Sequence, residues 1–265
     1  QKGGRIKIRK LPPMPERTAF FCGAMIKETI YVAGGQDWPK VYTPHGEQPK
    51  LPVVTKNFWA LDLSQPHGER AWEQLEPWPG PARMLSVAAA QHGKFFLIGG
   101  VGLVENEKGE NERVYLKDCY RYDPDQKKWQ EIAKLPRFAA AAPSPAMALG
   151  RSHFAVVGGD DAEYAGRMEE LKDDHPGFPP DVLVYHTITD TWTTMGKFPK
   201  EVASGVWPTV TTNTAWWRGR YVVPTGEARP GVRTPNVFWA EPVEAQEGFA
   251  WLDYCVLVVY LGALV

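Results

Sequence analysis

The segment Gly226-Glu-Ala-Arg-Pro-Gly-Val-Arg-Thr234 concentrates the residue types that proton-transfer chemistry needs. Glu227 follows directly on a glycine that ends an apolar run, and Arg233 comes after a Pro230-Gly231 turn. A chain folded back at that turn sets a carboxylate that can take up and return a proton beside a guanidinium that can clamp an anion, both at one pocket mouth. The plain alternative is a surface ion pair tying a loop together, a common and weakly stabilising arrangement. Local sequence leaves both readings open.

Three further residues are candidate substrate contacts: Arg83 in Pro-Ala-Arg-Met, Arg137 in Leu-Pro-Arg-Phe, and Asp160 of the Asp160-Asp161 pair. Arginines at such places also serve structural hydrogen bonds, which weighs against Arg83 and more heavily against Arg137. His175 and His186 do not have the spacing of a metal pair, and Cys22, Cys119 and Cys255 are far apart with no C-x-x-C motif. We therefore expect no metal and no disulfide framework. Lys+Arg 30 against Asp+Glu 31 gives a net charge of −1, which provides no basic field for nucleic acid or an anionic membrane surface.

The elements that must position these residues come from an internal repeat. Four apolar, strand-like runs each end in a glycine turn: Ile30 to Gly34-Gly35, Phe95 to Gly99-Gly100, Phe154 to Gly158-Gly159, and Tyr221 to Thr225-Gly226. Each turn is followed by an aromatic strand and, in the first three units, by a tryptophan: Trp72, Trp129 and Trp192. This is the grammar of four-stranded kelch blades, which cover their faces by stacking around an axis. The fold class is all-β, a kelch-type β-propeller with four blades visible. Extra length falls between glycine turn and third strand in each of the first three units, at Gln36 to Asn57, Val101 to Lys117 and Asp160 to Asp181. We expect segments such as Glu105 to Glu112 to be solvated loop, Met168-Glu-Glu-Leu-Lys-Asp to form a short helix, and the insertions together to wall one mouth of the channel. The repeated glycines and tryptophans read as blade architecture rather than as ligand contacts.

With those residues in view, the segment from Gly226 to Thr234 resembles the Gly-Glu-Ala-Lys-Pro-Gly-Leu-Arg-Thr signature of bacterial N-acetylneuraminate epimerases, sialic acid mutarotases built on a six-bladed kelch propeller. Pro79-Gly-Pro-Ala-Arg83, Phe95 to Gly102, Tyr120-Arg-Tyr-Asp-Pro-Asp-Gln-Lys-Lys-Trp129, Val156-Val-Gly-Gly159 and Trp192 are similar to that family in the same order, over roughly Arg9 to Glu241. The resemblance implies interconversion of the anomers of N-acetylneuraminate, a small sugar acid, without a cofactor. It assigns Glu227 and Arg233 as the catalytic pair. Glu227 would act as general base and acid, and Arg233 would either bind the substrate carboxylate or steady the developing oxyanion. Arg83 matches an arginine at the corresponding place in the family.

Two of the six blades that the resemblance implies are not visible. The absent start methionine and the apolar run Tyr254 to Val265 lead us to expect a longer protein, and with the missing blades upstream of Gln1 it would resemble the cyclically permuted mutarotases, in which the blade order is rotated. Within it, residues 1–243 are propeller, 244–251 a linker and 252–265 the start of a transmembrane helix. That last stretch resembles the first helix of sodium/solute symporters, which implies a periplasmic or otherwise extracytoplasmic propeller, attached to the membrane, that couples mutarotation to uptake. A closing β-strand, favoured by Val256, Val258 and Val259, is the alternative for the tail. The alternatives for function are a non-enzymatic kelch scaffold, a sugar-binding module, and a copper oxidase of the galactose oxidase type, which no histidine pair supports.

Overall fold

The computed structural model describes residues 8–37, 40–43, 46–49, 52–171, 174–199 and 206–242, and in the tail residues 251, 255–256 and 260–261. Three four-stranded antiparallel sheets follow one another along the chain. The first blade is Cys22–Ile26, Thr29–Ala33, Phe58–Asp62 and Trp72–Leu75. The second is Val87–Gln91, Lys94–Glu105, Asn111–Asp123 and Lys128–Ile132. The third is Met147–Leu149, His153–Val157, Asp181–His186 and Thr191–Lys197. A fourth sheet, Ala215–Trp217, Arg220–Pro224 and Val237–Ala240, has three strands among the described residues. The second strand of every sheet is the apolar run singled out by the repeat. In the three complete blades its residues are largely buried, because both faces are covered.

The tryptophans are architectural, as expected. Trp129 of the second blade packs on Phe58 of the first at a 4.8 Å ring separation, and its indole N–H donates to the Glu76 carbonyl at 2.8 Å. Trp192 of the third blade packs in T-shape on Phe154 and donates to the Ala133 carbonyl at 2.8 Å. Trp72 makes the equivalent bond to the Pro12 carbonyl at 3.1 Å. Each indole thus caps a connecting segment with its single donor, and those of Trp129 and Trp192 pack against the inter-blade core. Ring pairs of this kind add about 0.5–1.5 kcal/mol beyond their buried area.

In the second unit the expected loop at Glu105 to Glu112 is confined to the tip of the insertion, and the rest is ladder. Lys94–Glu105 and Asn111–Asp123 continue through it as one long hairpin, with Val101 opposite Tyr115 and Leu103 opposite Arg113, after a register shift at Ile98/Gly100. The run Val-Gly-Leu-Val against Val-Tyr-Leu carries enough β-branched and apolar side chains to keep the ladder going. Only Asn106 to Glu110 turns, closed by the Asn106 side chain accepting from the Lys108 and Glu110 amides. The expected short helix of the third unit is present at Met168–Leu171.

Nearest the axis, the repeat is held by recurring backbone hydrogen bonds. In each blade the residue after the glycine turn exchanges two hydrogen bonds with an inner residue: Gln36 with Ala19, Val101 with Met84, Asp160 with Ala140, and Glu227 with Val210. The residue following each inner partner, Phe20, Leu85, Ala141 or Thr211, has φ between 54° and 57°. These four are linked across blades, Leu85 N–H to Phe20 C=O, Ala141 N–H to Leu85 C=O and Thr211 N–H to Ala141 C=O, at 2.9, 2.7 and 2.7 Å. At the flanks of the arc, Phe20, Phe21 and Met25 of the first blade and Trp216, Trp217 and Trp239 of the fourth are exposed.

In the tail the described residues Trp251, Cys255, Val256, Tyr260 and Leu261 are helical and exposed. Among the described residues, no helix is long and apolar enough to cross a membrane. Val258 and Val259 lie outside the described residues.

Candidate active site

Glu227–Arg229 and Val232–Arg233 form a two-stranded hairpin in which Glu227 is the direct cross-strand partner of Arg233, with a bulge between Glu227 and Arg229. Directly opposed residues of an antiparallel pair project from the same face. The two residues are therefore brought together by the hairpin that the Pro-Gly turn implies. They are not ion-paired: the Arg233 side chain is exposed and makes no hydrogen bond or ion pair with a described residue. The structure thus does not realise the loop-tying ion pair that the sequence leaves open.

Glu227 is half-buried and held at both oxygens. Oε1 accepts from the Gly231 amide at 2.6 Å, across the hairpin turn, and Oε2 faces the Thr211 hydroxyl at 3.4 Å. Its backbone is fixed by the two 2.9 Å bonds to Val210. Gly226 makes this approach possible: its φ is +117°, and a Cβ there would lie 2.8 Å from the Thr209 Cβ and 3.0 Å from the Val210 carbonyl oxygen. Ala228 is buried, and the hairpin is closed at its base by Thr234 N–H to Gly226 C=O at 3.0 Å and the Thr225 hydroxyl to the Thr234 carbonyl at 2.6 Å.

Asp160 occupies, in the third blade, the place Glu227 holds in the fourth. Its Oδ2 accepts from the Tyr115 phenol at 2.7 Å and its Oδ1 from the Ala162 amide at 2.9 Å. Burial, reinforced by the bond to Asp160, holds the Tyr115 phenol well above its usual range. Nothing in the sequence marks Tyr115, because it lies in the second-blade insertion, outside the strands that the repeat marks. A recess of about 20 Å³ joins Tyr115, Asp160, Tyr164 and His175 to Pro230 of the hairpin, room for about one water. Asp160 therefore lies near the Glu227 hairpin, although the space between them is not sugar-sized.

The two other arginines do not join the site. Arg83 is fully buried, with Nε donating to the Pro81 carbonyl, Nη1 to the Gly99 and Asp118 carbonyls at 3.1 and 3.3 Å, and Nη2 paired with the Asp118 carboxylate. It is flanked by the Trp78 and Tyr120 rings at 5.6 and 5.3 Å, and the Tyr120 hydroxyl also donates to Asp118. All three guanidinium nitrogens are engaged within the protein, so the expectation of a ligand contact is corrected to a structural role. Arg137, one blade on, repeats the pattern only in part, because its buried Nε makes no hydrogen bond. It donates to the Gly158 carbonyl at 3.0 Å and the Asp181 carbonyl at 3.2 Å, with the Asp181 carboxylate 3.9 Å away. Its Nη1 also donates to the Phe138 carbonyl at 2.8 Å, so two of its three nitrogens are engaged by backbone carbonyls.

Burial pushes the Cys22 and Cys119 thiols up to about 12, so neither is a nucleophile at neutral pH. Among the described residues no group of three or more His, Cys, Asp or Glu is arranged to hold a metal ion.

Residues 82–136 match the Kelch motif. The chain is 29% identical over 242 residues to the N-acetylneuraminate epimerase of Haemophilus influenzae (strain PittEE), covering 84% of this chain and 57% of that protein. It is 25% identical over 262 residues to the protein of that name from Pasteurella multocida (strain Pm70), covering 91% of this chain and 60% of that protein. The chain thus spans somewhat over half the length of these relatives. Among solved structures, the one titled "Structure of YjhT" superposes with a TM-score of 0.60 at 19% identity, covering 91% of this chain and 70% of that one. The chain is accordingly an arc of kelch-type propeller blades, similar in sequence to proteins named N-acetylneuraminate epimerase.

Proposed function

We propose that the protein carrying this chain is an isomerase that interconverts the anomers of N-acetylneuraminate, with Glu227 as acid/base and Arg233 as anion-binding partner. The observation that carries the reading is the direct pairing of these two residues on one face of a hairpin at the axial end of a blade, with the guanidinium unengaged among the described residues. The names of the relatives supply the substrate. In the forward sense Glu227 takes the proton of the anomeric hydroxyl, the bond from the anomeric carbon to the ring oxygen breaks, and that oxygen receives a proton. Reclosure on the other face of the resulting ketone reverses these transfers, so no electrons are gained or lost. Acid–base assistance of about 10²–10⁴-fold suits a reaction that also proceeds unaided in water. Arg233 either holds the substrate carboxylate or stabilises the alkoxide formed as the ring opens.

The same proposal includes the tail: a membrane helix leading into a sodium/solute symporter, with the propeller on the extracytoplasmic side. The apolar run and the helical conformation of its described residues support this. Membrane fractionation and protease accessibility of the full-length protein test it. A propeller released in the soluble fraction overturns it.

The activity is tested by following anomer exchange of N-acetylneuraminate by NMR with the full-length protein and its Glu227→Gln variant. The wild type is expected to accelerate exchange and the variant to leave it at the uncatalysed rate with the fold intact. Binding of the sugar acid without acceleration by the wild type would replace the isomerase with a sugar-binding kelch module.

A further inference from the structure

Among the described residues, eleven other than glycine have positive φ, and just two of them are β-branched: Thr211 and Thr225, with φ of 54° and 49°. A β-branched side chain in this region is a genuine outlier, since its two γ-atoms crowd the backbone. Both threonines flank Glu227. Thr211 stands where the other three blades have Phe20, Leu85 and Ala141, and Thr225 stands where they have Gly34, Gly99 and Gly158. The repeat therefore offers apolar or strain-free residues at both places, and the blade with the Glu/Arg hairpin departs from it at both.

Each departure supplies a hydroxyl aimed at the hairpin. Thr211 points its Oγ1 at Glu227 Oε2 from 3.4 Å, a separation that contracts readily once substrate excludes water. Its backbone is anchored, because its N–H is bonded to the Ala141 carbonyl across the blade boundary at 2.7 Å. Thr225 donates its hydroxyl to the Thr234 carbonyl at 2.6 Å, next to Arg233, while its own N–H is bonded to the Asn236 carbonyl at 2.8 Å. One hydroxyl thus steadies the carboxylate and the other steadies the strand bearing the guanidinium.

We propose that Thr211 and Thr225 are positioning residues for the isomerisation, strained threonines kept because their hydroxyls hold Glu227 and the Arg233 strand in the reactive arrangement. The proposal deepens the isomerase reading and rests on it. Strain retained in this way is characteristic of sites whose surroundings over-determine a local conformation.

The test uses the full-length protein. Thr211→Val keeps the shape and loses the hydroxyl, and is expected to lower kcat for anomer exchange about 10- to 100-fold with KM within about twofold. Thr211→Ser is expected to restore kcat. Thr225→Gly, which installs the residue of the other blades, should lower kcat/KM about tenfold while leaving thermal stability unchanged or raised, and Thr225→Ser should restore activity. Wild-type kinetics in Thr211→Val and Thr225→Gly, or serine variants as impaired as the parent substitutions, would overturn the proposal while leaving the isomerase reading in place. Crystal structures supply a readout that does not depend on activity: Glu227 should occupy one rotamer in the wild type and several in Thr211→Val. A single unchanged rotamer in both proteins would remove the positioning role even if the wild type proved inactive on this sugar.

Discussion

Arg83 and Arg233 carry the same side chain into opposite situations. Arg83 is enclosed between Trp78 and Tyr120 with its donors distributed over three carbonyls and the Asp118 carboxylate. Arg233 stands exposed across a hairpin from a carboxylate that it does not pair with. A guanidinium whose donors are satisfied internally stabilises the blade and has nothing left for a ligand. One left unsatisfied contributes little to folding and remains available for an anion. In this propeller, then, the fully engaged arginine is the buried one and the arginine at the hairpin keeps its side-chain donors unengaged among the described residues.

The largest effect of a substitution is expected at Arg83. Arg83→Leu would strand the Asp118 carboxylate in a mostly buried place, and chemical denaturation is expected to show a loss of about 3–5 kcal/mol. A loss below about 1 kcal/mol would mean that the clamp is not structural. Arg233→Gln should show the reverse, a stability change within about 0.5 kcal/mol, as for ordinary surface substitutions, and a fall of about 10²-fold in the rate of anomer exchange. Steady-state kinetics on that variant sharpens the assignment. A raised KM with unchanged kcat marks carboxylate binding, and a lowered kcat marks stabilisation of the ring-opened alkoxide.

The smallest effect is on acid stability. Burial pushes the Asp118 carboxyl up, but the hydrogen bond and charge of Arg83 outweigh it and hold the carboxyl below its ordinary value. A folded pKa below the unfolded value of about 3.9 gives a stabilising contribution that is present above about pH 4 and lost as pH falls through the folded pKa. Denaturation curves between about pH 3 and pH 7 should show the onset of this loss in the wild type and a diminished one in Arg83→Leu. Identical pH dependences would show that the pair does not supply the linkage.

The strands and the pairing of Glu227 with Arg233 are legible in the sequence because they rest on local rules. A glycine pair ends a strand, a Pro-Gly turn folds a hairpin, and a tryptophan recurs at one place in each blade. The roles of Arg83 and Arg137 are not legible, because they depend on carbonyls of Gly99, Asp118, Gly158 and Asp181 that arrive from distant segments. Tyr115 is hidden by a related difficulty: whether an insertion is loop or ladder is decided by cross-strand partners, here Val101 and Leu103 opposite Tyr115 and Arg113. Thr225 does leave a trace in the sequence, as the one threonine in a column of glycines. Its meaning emerges only with the backbone dihedral and the bond to Thr234.

The links between Phe20, Leu85, Ala141 and Thr211 use amide hydrogens and carbonyls and leave their side chains out. A benzyl group, an isobutyl group, a methyl group and a hydroxyethyl group all occupy the same station without disturbing the connection. Each blade therefore presents an interchangeable socket toward the axis. A propeller of this type can acquire or retune a reaction by changing what it plugs into one socket, while its scaffold remains untouched.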